Sequence, residues 1–459
     1  MTLFPFAMAA TIMAFSPQAA TDLGGVWEGR IDVQGQSVRI VLRVDTSGAE
    51  PRASLDSPDQ GAFGIPVEGL ASLEGGGVHF GAPTAGVRFE GRLGPDGRTL
   101  VGALMQGTST PLVLTRTASS AAVSGPSRPQ HPQAPFLYRA EDVRIPTSTA
   151  GVELAGTLTV PQGAGPFPAV VLITGSGGQD RDETVFGHKP FLVLADALTR
   201  QGVAVLRYDD RGIGQSSGDP SQATTADFAE DGRAAFAWLV DRPEIDAGRA
   251  GVLGHSEGGT IASLLARADD RVSFVVMLAG PAAPGADVLT EQSRQIQLAS
   301  GIGAPVVDAN TTVQARIMAA IAANAEDPVA ASDAVRAVAA EFGLPRQVAE
   351  QAARQAENPW MRWFVAHDPR PDLSAMDVPL LALYGGKDVQ VPAAQSAGIV
   401  RQLAPHAEVI VLPDLNHLMQ TASSGLPAEY AGIEETINAD ALALIVRWIE
   451  GQTRAARED

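Results

Sequence analysis

One serine in this sequence has the surroundings of a nucleophile. Residues 254–258 match the pattern G-x-S-x-G, with Ser256 at the centre. An apolar run over 250–254 precedes it and a helical pattern over 260–267 follows, which predicts a sharp strand-to-helix turn that exposes the hydroxyl. A second match, residues 214–218, lies in a polar loop that runs into Pro220. We therefore predict that Ser256 is the nucleophile of an acyl transfer.

A serine nucleophile needs a histidine base, and position along the chain selects one. In this arrangement the order is serine, then acid, then histidine. Of the 7 histidines, those upstream of Ser256, His255 beside it and His367 in a helical region are set aside. His406 precedes the strand predicted at 408–412, whereas His417 follows it, on the side where Ser256 emerges. His417 is therefore the predicted general base.

Two aspartates compete for the role of the acid that orients this histidine. Asp388 follows the strand predicted at 380–383, at the carboxyl edge of the sheet where active sites of open α/β sheets lie. Asp414 is only three residues from His417 and could instead cap a local turn. We favour Asp388, because an acid from a separate strand end can face the imidazole edge remote from Ser256.

Two backbone amides are candidates for the oxyanion hole. The N–H of Glu257 opens the helix after Ser256 and can point at a developing oxyanion. The second donor is expected in the glycine-rich loop 174–178 that follows an apolar run, where we predict the amide of Ser176, with Gly177 as the next candidate. This loop has neither of the spacings typical of phosphate-binding loops.

Three further side chains are candidates for the substrate pocket. Gln179 opens a polar cluster, residues 179–183, which could contact substrate, although internal ion pairs are the favoured interpretation. Trp360 and Trp363 lie at helical spacing and could line an acyl pocket, although such aromatics more often pack a cap onto its domain. No metal-binding motif occurs in the sequence, and we expect neither a metal nor a cofactor.

Beyond residue 137 the sequence alternates between apolar runs and amphipathic segments. Continuous apolar runs are typical of parallel strands that are covered on both faces. Predicted strands lie at 169–174, 203–208, 250–254, 274–279, 380–384 and 409–412, and predicted helices include 191–200, 228–239, 260–267 and 441–449. Residues 281–377, approximately, are rich in alanine and predict a helical insertion.

The amino-terminal part of the chain has a different pattern. Apolar and polar residues alternate repeatedly over 27–115, with glycine-rich breaks, which predicts a small all-β domain, a sandwich or a barrel. Pro126, Pro129, Pro132 and Pro135 then recur at every third residue, as in an extended linker. The predicted segments are a signal peptide at 1–20, the β-domain at 21–117, the linker at 118–136 and the catalytic domain at 137–459.

The first residues bear on the cellular location. Residues 1–15 are apolar and uncharged, and the first basic residue is Arg30. The stretch is too short to span a bilayer but suits a cleaved secretory signal, so we expect a periplasmic or secreted protein. A cytoplasmic protein with a misassigned start is the alternative.

Composition excludes several classes of protein. With no cysteine among 459 residues, a thiol nucleophile, a disulfide and a thiolate metal site are all excluded. A formal net charge of −19 would repel nucleic-acid phosphates, so we expect no nucleic-acid partner. No later segment reaches the length of a transmembrane helix. The sequence does not indicate an oligomeric state.

Four sequence blocks, residues 173–183, 187–218, 254–259 and 384–392, resemble those of the α/β-hydrolase superfamily and, more narrowly, of bacterial EstD-type esterases. With residues 358–369, the resemblance covers nearly all of 138–450. Chains of this type are also described as serine aminopeptidase-like. The resemblance implies an α/β-hydrolase fold, with a mostly parallel sheet between helices and a helical cap insertion, here preceded by the small all-β domain.

The activity implied is hydrolysis of carboxylic esters with short acyl chains, through a Ser-His-Asp triad and an acyl-enzyme, on a small-molecule substrate. A peptidase or amidase with the same triad is the first alternative, because acyl transfer does not fix the leaving group. A non-catalytic surface-binding protein, built on the β-domain and linker, is the second. The complete triad argues against it.

Overall fold

The structure is a computed structural model, and it describes residues 23–33, 36–46, 52–58, 62–73, 76–82, 87–106, 108–117 and 127–455. The chain divides into two compact units, residues 1–125 and 126–459. The expected signal peptide and residues 118–126 of the expected linker lie outside the described residues.

The first unit is a closed antiparallel barrel in which each strand pairs with the next and the last pairs with the first. Its strands are β1 (Gly25–Val33), β2 (Gln36–Asp45), β3 (Arg52–Ser57), β4 (Ala62–Leu73), β5 (Gly77–Ala82), β6 (Val87–Leu93), β7 (Thr99–Gln106) and β8 (Thr108–Arg116). Closure leaves no strand edge unpaired. The predicted all-β domain is confirmed.

Alternation along the strands explains the barrel core. Val38, Ile40 and Leu42 of β2 are buried, as a period of two requires for one face of a strand. They share the barrel core with Trp27 and with the stacked rings of Phe80 and Phe89. The aromatic side chains fill the interior that the closed sheet encloses.

The second unit contains an eight-stranded sheet, with strands β9 (Arg139–Pro146), β10 (Glu153–Val160), β11 (Phe167–Ile173), β12 (Ala204–Tyr208), β13 (Ile245–His255), β14 (Val275–Leu278), β15 (Leu380–Gly385) and β16 (Glu408–Leu412). Their order across the sheet is β16-β15-β14-β13-β11-β12-β10-β9. The six strands from β16 to β12 in this order are parallel to their neighbours, whereas β10 runs antiparallel to both β9 and β12.

Helices cover both faces of this sheet. One apolar core joins α2 (Thr225–Val240), α3 (Glu257–Ala268) and α10 (Ala393–Leu403) to the sheet, and a second joins α1 (Pro190–Arg200) and α12 (Ala439–Ala455) to the other face. The sequence sets where α2 begins, because Thr224 and Asp227 form a reciprocal capping box. The predicted α/β-hydrolase fold is confirmed. A short helix, α11 (Pro427–Tyr430), lies in the loop before α12.

A helical cap interrupts the sheet between β14 and β15, within the interval predicted for an insertion. Its helices are α4 (Gly285–Ala299), α5 (Ala304–Ala322), α6 (Pro328–Glu341), α7 (Arg346–Ala356), α8 (Pro359–Ala366) and α9 (Arg370–Ser374). Ile317, Ile321 and Val335 are among the residues of its own apolar core. No helix in the part of the chain that the structure describes is both long and apolar enough to cross a membrane.

Candidate active site

Ser256 lies on the turn that the sequence predicts, between β13 and α3. Its backbone has a φ of 54°, a positive value that residues other than glycine rarely adopt. Such strain persists where the surrounding structure imposes it, as at a nucleophile elbow. Glycine is required on both sides: a Cβ on Gly254 would overlap the Gly258 carbonyl, and one on Gly258 would overlap the carbonyl of Ile173.

His417 pairs with Asp388. The distance from His417 Nδ1 to Asp388 Oδ2 is 2.8 Å, and both side chains are buried. The other carboxylate oxygen of Asp388 accepts hydrogen bonds from the backbone N–H groups of Gln390 and Val391. Asp414 is exposed, and its carboxylate lies 3.6 Å from Lys387 Nζ. The histidine is therefore oriented by the carboxylate from the β15 loop.

Ser256 and His417 line one cavity of about 250 Å³. Among the described residues no hydrogen bond joins the serine hydroxyl to the imidazole, and catalytic contacts of this kind commonly tighten only when substrate binds. Apolar and aromatic side chains form much of the wall. The other lining residues are Gly175, Ser176, Gln179, Glu183, Val185, Phe186, His255, Gln390, Leu418, Pro427 and Tyr430.

The segments that carry the two predicted amide donors both adjoin Ser256. A Cβ added to Gly175 would lie 3.2 Å from the Ser256 Cβ, so the loop that carries Ser176 passes directly beside the serine. Glu257 is the first residue of α3, and the N–H groups of a first helical turn have no intrahelical acceptor. Gly177 does not line the cavity that contains Ser256, but a small neighbouring one.

Most of the polar cluster at 179–183 forms internal contacts, as the favoured interpretation holds. Arg181 makes a two-point ion pair with Asp209. Asp182 pairs with Lys189 and with the buried Arg207. Gln179 alone among the three pocket candidates lines the cavity that contains Ser256.

Asp210 fastens both ends of the loop that carries Ser176. Its carboxylate accepts hydrogen bonds from the Thr174 hydroxyl and from the Gln179 backbone N–H, each at 2.9 Å. Burial raises the pKa of Asp210 to about 8, although those two hydrogen bonds oppose the shift. The loop therefore depends on a buried carboxyl group that ionises only with difficulty.

The two tryptophans lie away from the cavity that contains Ser256. Trp360 donates its indole N–H to Glu257 Oε1 at 2.8 Å, and Thr225 Oγ1 donates to the same oxygen at 2.6 Å. Burial raises the pKa of this glutamate, which the two hydrogen bonds partly oppose. Trp363 stacks on His367 and lines a separate cavity of about 390 Å³. Trp360 thus joins helix α8 of the cap to the residue that follows Ser256.

A family comparison is consistent with this geometry. Residues 150–418, more than half of the chain, match the family described as X-Pro dipeptidyl-peptidase (S15 family). The chain belongs to the S15 family.

Individual relatives of this S15 chain include esterases. Esterase EstD of Thermotoga maritima is 28% identical over 280 residues, which cover 60% of this chain and 61% of that protein. A non-heme haloperoxidase of Rhodococcus erythropolis is 28% identical over 252 residues, covering 54% of this chain and 84% of that protein. A solved esterase of Pyrococcus furiosus has a TM-score of 0.43 at 16% identity, covering 69% of this chain and 92% of that one.

The S15 chain spans less than two-thirds of the length of EstD. It is an EstD-like α/β hydrolase. No group of His, Asp and Glu residues within the described ranges is placed to hold a metal ion.

Sequence reasoning missed two residues of the S15 site, Glu183 and His255. Both line the cavity, and His255 Nδ1 lies 2.8 Å from Glu183 Oε1. His255 adjoins Ser256 in the sequence and is therefore excluded as its base, yet its ring contacts the backbone of His417. The available signal was that Glu183 ends the block 173–183, which carries the EstD resemblance.

A segment of the expected linker also contributes to the site. We call residues 127–133 the strap. Arg128 donates hydrogen bonds to the carbonyl groups of Phe186, Ala431 and Ile433. The side chain of Gln130 both donates to and accepts from the backbone of Ile437. Because Phe186 lines the cavity, the strap supports one of its walls.

Proposed function

We propose that this protein is a serine hydrolase that cleaves carboxylic esters with short acyl chains. The observation that carries the proposal is the presence in one cavity of Ser256, on a strained strand-to-helix turn, and His417, paired with Asp388. Acyl transfer by a serine requires a nucleophile, a base and an acid that orients the base, and here three separate loops provide them.

In the proposed mechanism, Ser256 Oγ attacks the ester carbonyl carbon while His417 Nε2 accepts its proton. Asp388 holds Nδ1–H of the imidazole and stabilises the imidazolium that forms. The amides of Glu257 and Ser176 donate hydrogen bonds to the oxyanion of the tetrahedral intermediate. His417 then protonates the departing alcohol, and water, activated by the same histidine, releases the acid from the acyl-enzyme.

The cavity favours a small uncharged acyl group. Its volume of about 250 Å³ is below the usual range for drug-sized ligands, about 300–1,000 Å³. No arginine or lysine is among its lining residues, and its one carboxylate, Glu183, is already paired with His255. A substrate with a charged peptide terminus would therefore lack a free partner, which favours an ester.

A peptidase or amidase is the second candidate, and the description of the S15 family favours it. A panel of substrates separates the two. Purified protein would be offered aryl esters of acetic, butyric, octanoic and dodecanoic acids, together with aminoacyl and X-Pro aryl amides. We expect the highest kcat/KM on acetyl or butyryl esters and little turnover of amides. A higher kcat/KM on an X-Pro amide than on every ester would contradict the proposal.

A further inference from the structure

Glu183 and His255 form a buried pair beside the proposed triad. The pair is joined by 2.8 Å between His255 Nδ1 and Glu183 Oε1, and their side chains are only 9% and 3% exposed. The other ring nitrogen, Nε2, lies 2.9 Å from the backbone carbonyl oxygen of His417. A carbonyl can only accept a hydrogen bond, and so can an ionised carboxylate. A neutral imidazole carries only one N–H, so donation to both of these acceptors requires an imidazolium.

The groups around His255 are consistent with this charge. Burial by itself would lower the pKa of His255, but the Glu183 carboxylate and its hydrogen bond raise it overall, with smaller contributions from the His417 carbonyl and from Asp388. The imidazole of His417 is the other titratable group against it, with ring centroids 4.8 Å apart.

This pair contacts all three segments of the proposed catalytic machinery. Glu183 Oε1 also accepts the backbone N–H of Gly175 at 2.9 Å, one residue before Ser176. His255 directly precedes Ser256, and its Nε2 binds the backbone of His417. A shift of either member would move the oxyanion loop relative to the nucleophile or the base.

The backbone of Glu183 is strained. Its φ of 52° is in the left-handed region, which glycine adopts without strain. A glutamate there is conformationally strained, and such outliers cluster at functional sites. Its side chain provides the compensating contacts, because one carboxylate oxygen binds both the Gly175 amide and the His255 ring.

We propose that Glu183 and His255 are a positioning ion pair that holds the Ser176 amide in register with Ser256 and His417. The inference rests on the proposed esterase function. The role of this ion pair differs from that of Asp388, because the pair contacts neither the attacking oxygen, Ser256 Oγ, nor a ring nitrogen of His417. It acts on the transition state by fixing where the oxyanion donor lies, and a misplaced donor weakens a bond that forms only as negative charge develops.

The test is Glu183→Gln in the full chain, measured on an aryl butyrate. The change removes the charge but keeps the size of the side chain. We expect kcat to fall about 10- to 100-fold while KM changes less than about threefold, the split typical of an interaction made only in the transition state. Lys189→Gln is the matched control, because it removes a charge from the same segment at a half-exposed side chain that does not touch the elbow.

A second variant separates positioning from folding. Glu183→Ala opens a space beside the cavity, and added formate should restore part of its kcat by supplying the missing carboxylate. Circular dichroism would verify that both variants are folded. The proposal is overturned if Glu183→Gln retains a kcat within about twofold of that of Lys189→Gln, or if its loss lies in KM alone. It is also overturned if formate restores no activity to folded Glu183→Ala.

These outcomes are distinct from a failure of the proposed function. If the unmodified protein hydrolyses no ester, the esterase proposal and this inference fail together. If it hydrolyses esters through Ser256 and Glu183→Gln is unaffected, only the positioning role is refuted.

Discussion

His417 is paired with Asp388, 29 residues earlier in the chain, and not with Asp414, three residues away. Asp388 is buried in the loop three residues after the buried strand β15, whereas Asp414 is exposed. The pairing places the acid on the side of the imidazole remote from the base nitrogen, as a triad requires.

Replacing each aspartate by asparagine should separate the two roles. Asp388→Asn keeps the shape but removes the charge that stabilises the imidazolium, so we expect kcat on an aryl butyrate to fall by about 10³- to 10⁴-fold. Asp414→Asn should leave kcat within about twofold, because surface ion pairs contribute little. A larger loss from Asp414→Asn than from Asp388→Asn would contradict the assignment.

The bond between Trp360 and Glu257 predicts that the cap and the elbow are coupled. Trp360→Phe retains a ring that can stack on Phe364 but removes the indole N–H, leaving a buried carboxyl group with one donor fewer. We expect the free energy of unfolding to fall by about 1–3 kcal/mol in chemical denaturation. Trp363→Phe, in the same helix, is the control, and an equal effect of the two substitutions would argue against the coupling.

Asp210 predicts a specific dependence of stability on pH. Its pKa of about 8 in the folded protein exceeds the value of about 3.9 expected when unfolded, so between these pH values the folded state binds more protons. The stabilisation of the folded state that comes from its tighter binding of the Asp210 proton is complete below about pH 4. It is lost as the pH rises to about 8.

Asp210→Asn should therefore show a shallower fall of the thermal unfolding midpoint over this interval than the unmodified protein, even if its midpoint is lower at acidic pH because one hydrogen bond is lost. Asp414→Asn removes the same charge at an exposed position and should follow the unmodified protein. Identical slopes for all three proteins would show that Asp210 is ionised throughout.

The contacts of the strap predict that residues before the eight-stranded sheet affect stability and the proposed activity. Gln130→Ala removes side-chain hydrogen bonds to the backbone of residues 436–437, and we expect unfolding to become easier by about 2 kcal/mol and kcat/KM to fall severalfold. Gln133, which is exposed and contacts only a carbonyl of the strap itself, provides the control as Gln133→Ala. Equal stability and activity of the two variants would exclude a supporting role.

The buried parallel strands could be predicted from the sequence, because strands covered on both faces are continuous apolar runs. The first two strands of the sheet could not. β9 lies at the sheet edge, and only Val143 and Ile145 of its residues are buried. β10 contains Gly156 and Thr157, which weaken the apolar pattern of a strand. Antiparallel strands at the rim have a weaker sequence signal than central ones.

The candidate site could be predicted where a residue's position follows from a strand end. Ser256, Asp388 and His417 each follow a predicted strand, so the topology alone brings them to one edge of the sheet. The contacts of Glu183, His255 and Trp360 depend instead on side-chain directions in loops and across the cap. Sequence periodicity carries no information on those directions, and only the packed structure provides them.

The central claim is that Ser256 is the nucleophile of an esterase, and the most direct measurement is the hydrolysis of an aryl butyrate by Ser256→Ala. The side chain loses only a hydroxyl on a turn that is already formed, so circular dichroism should show an unchanged fold. Because members of a triad act as a unit, we expect kcat/KM to fall by about 10⁴-fold or more. Retention of activity within about tenfold of the unmodified protein would contradict the account.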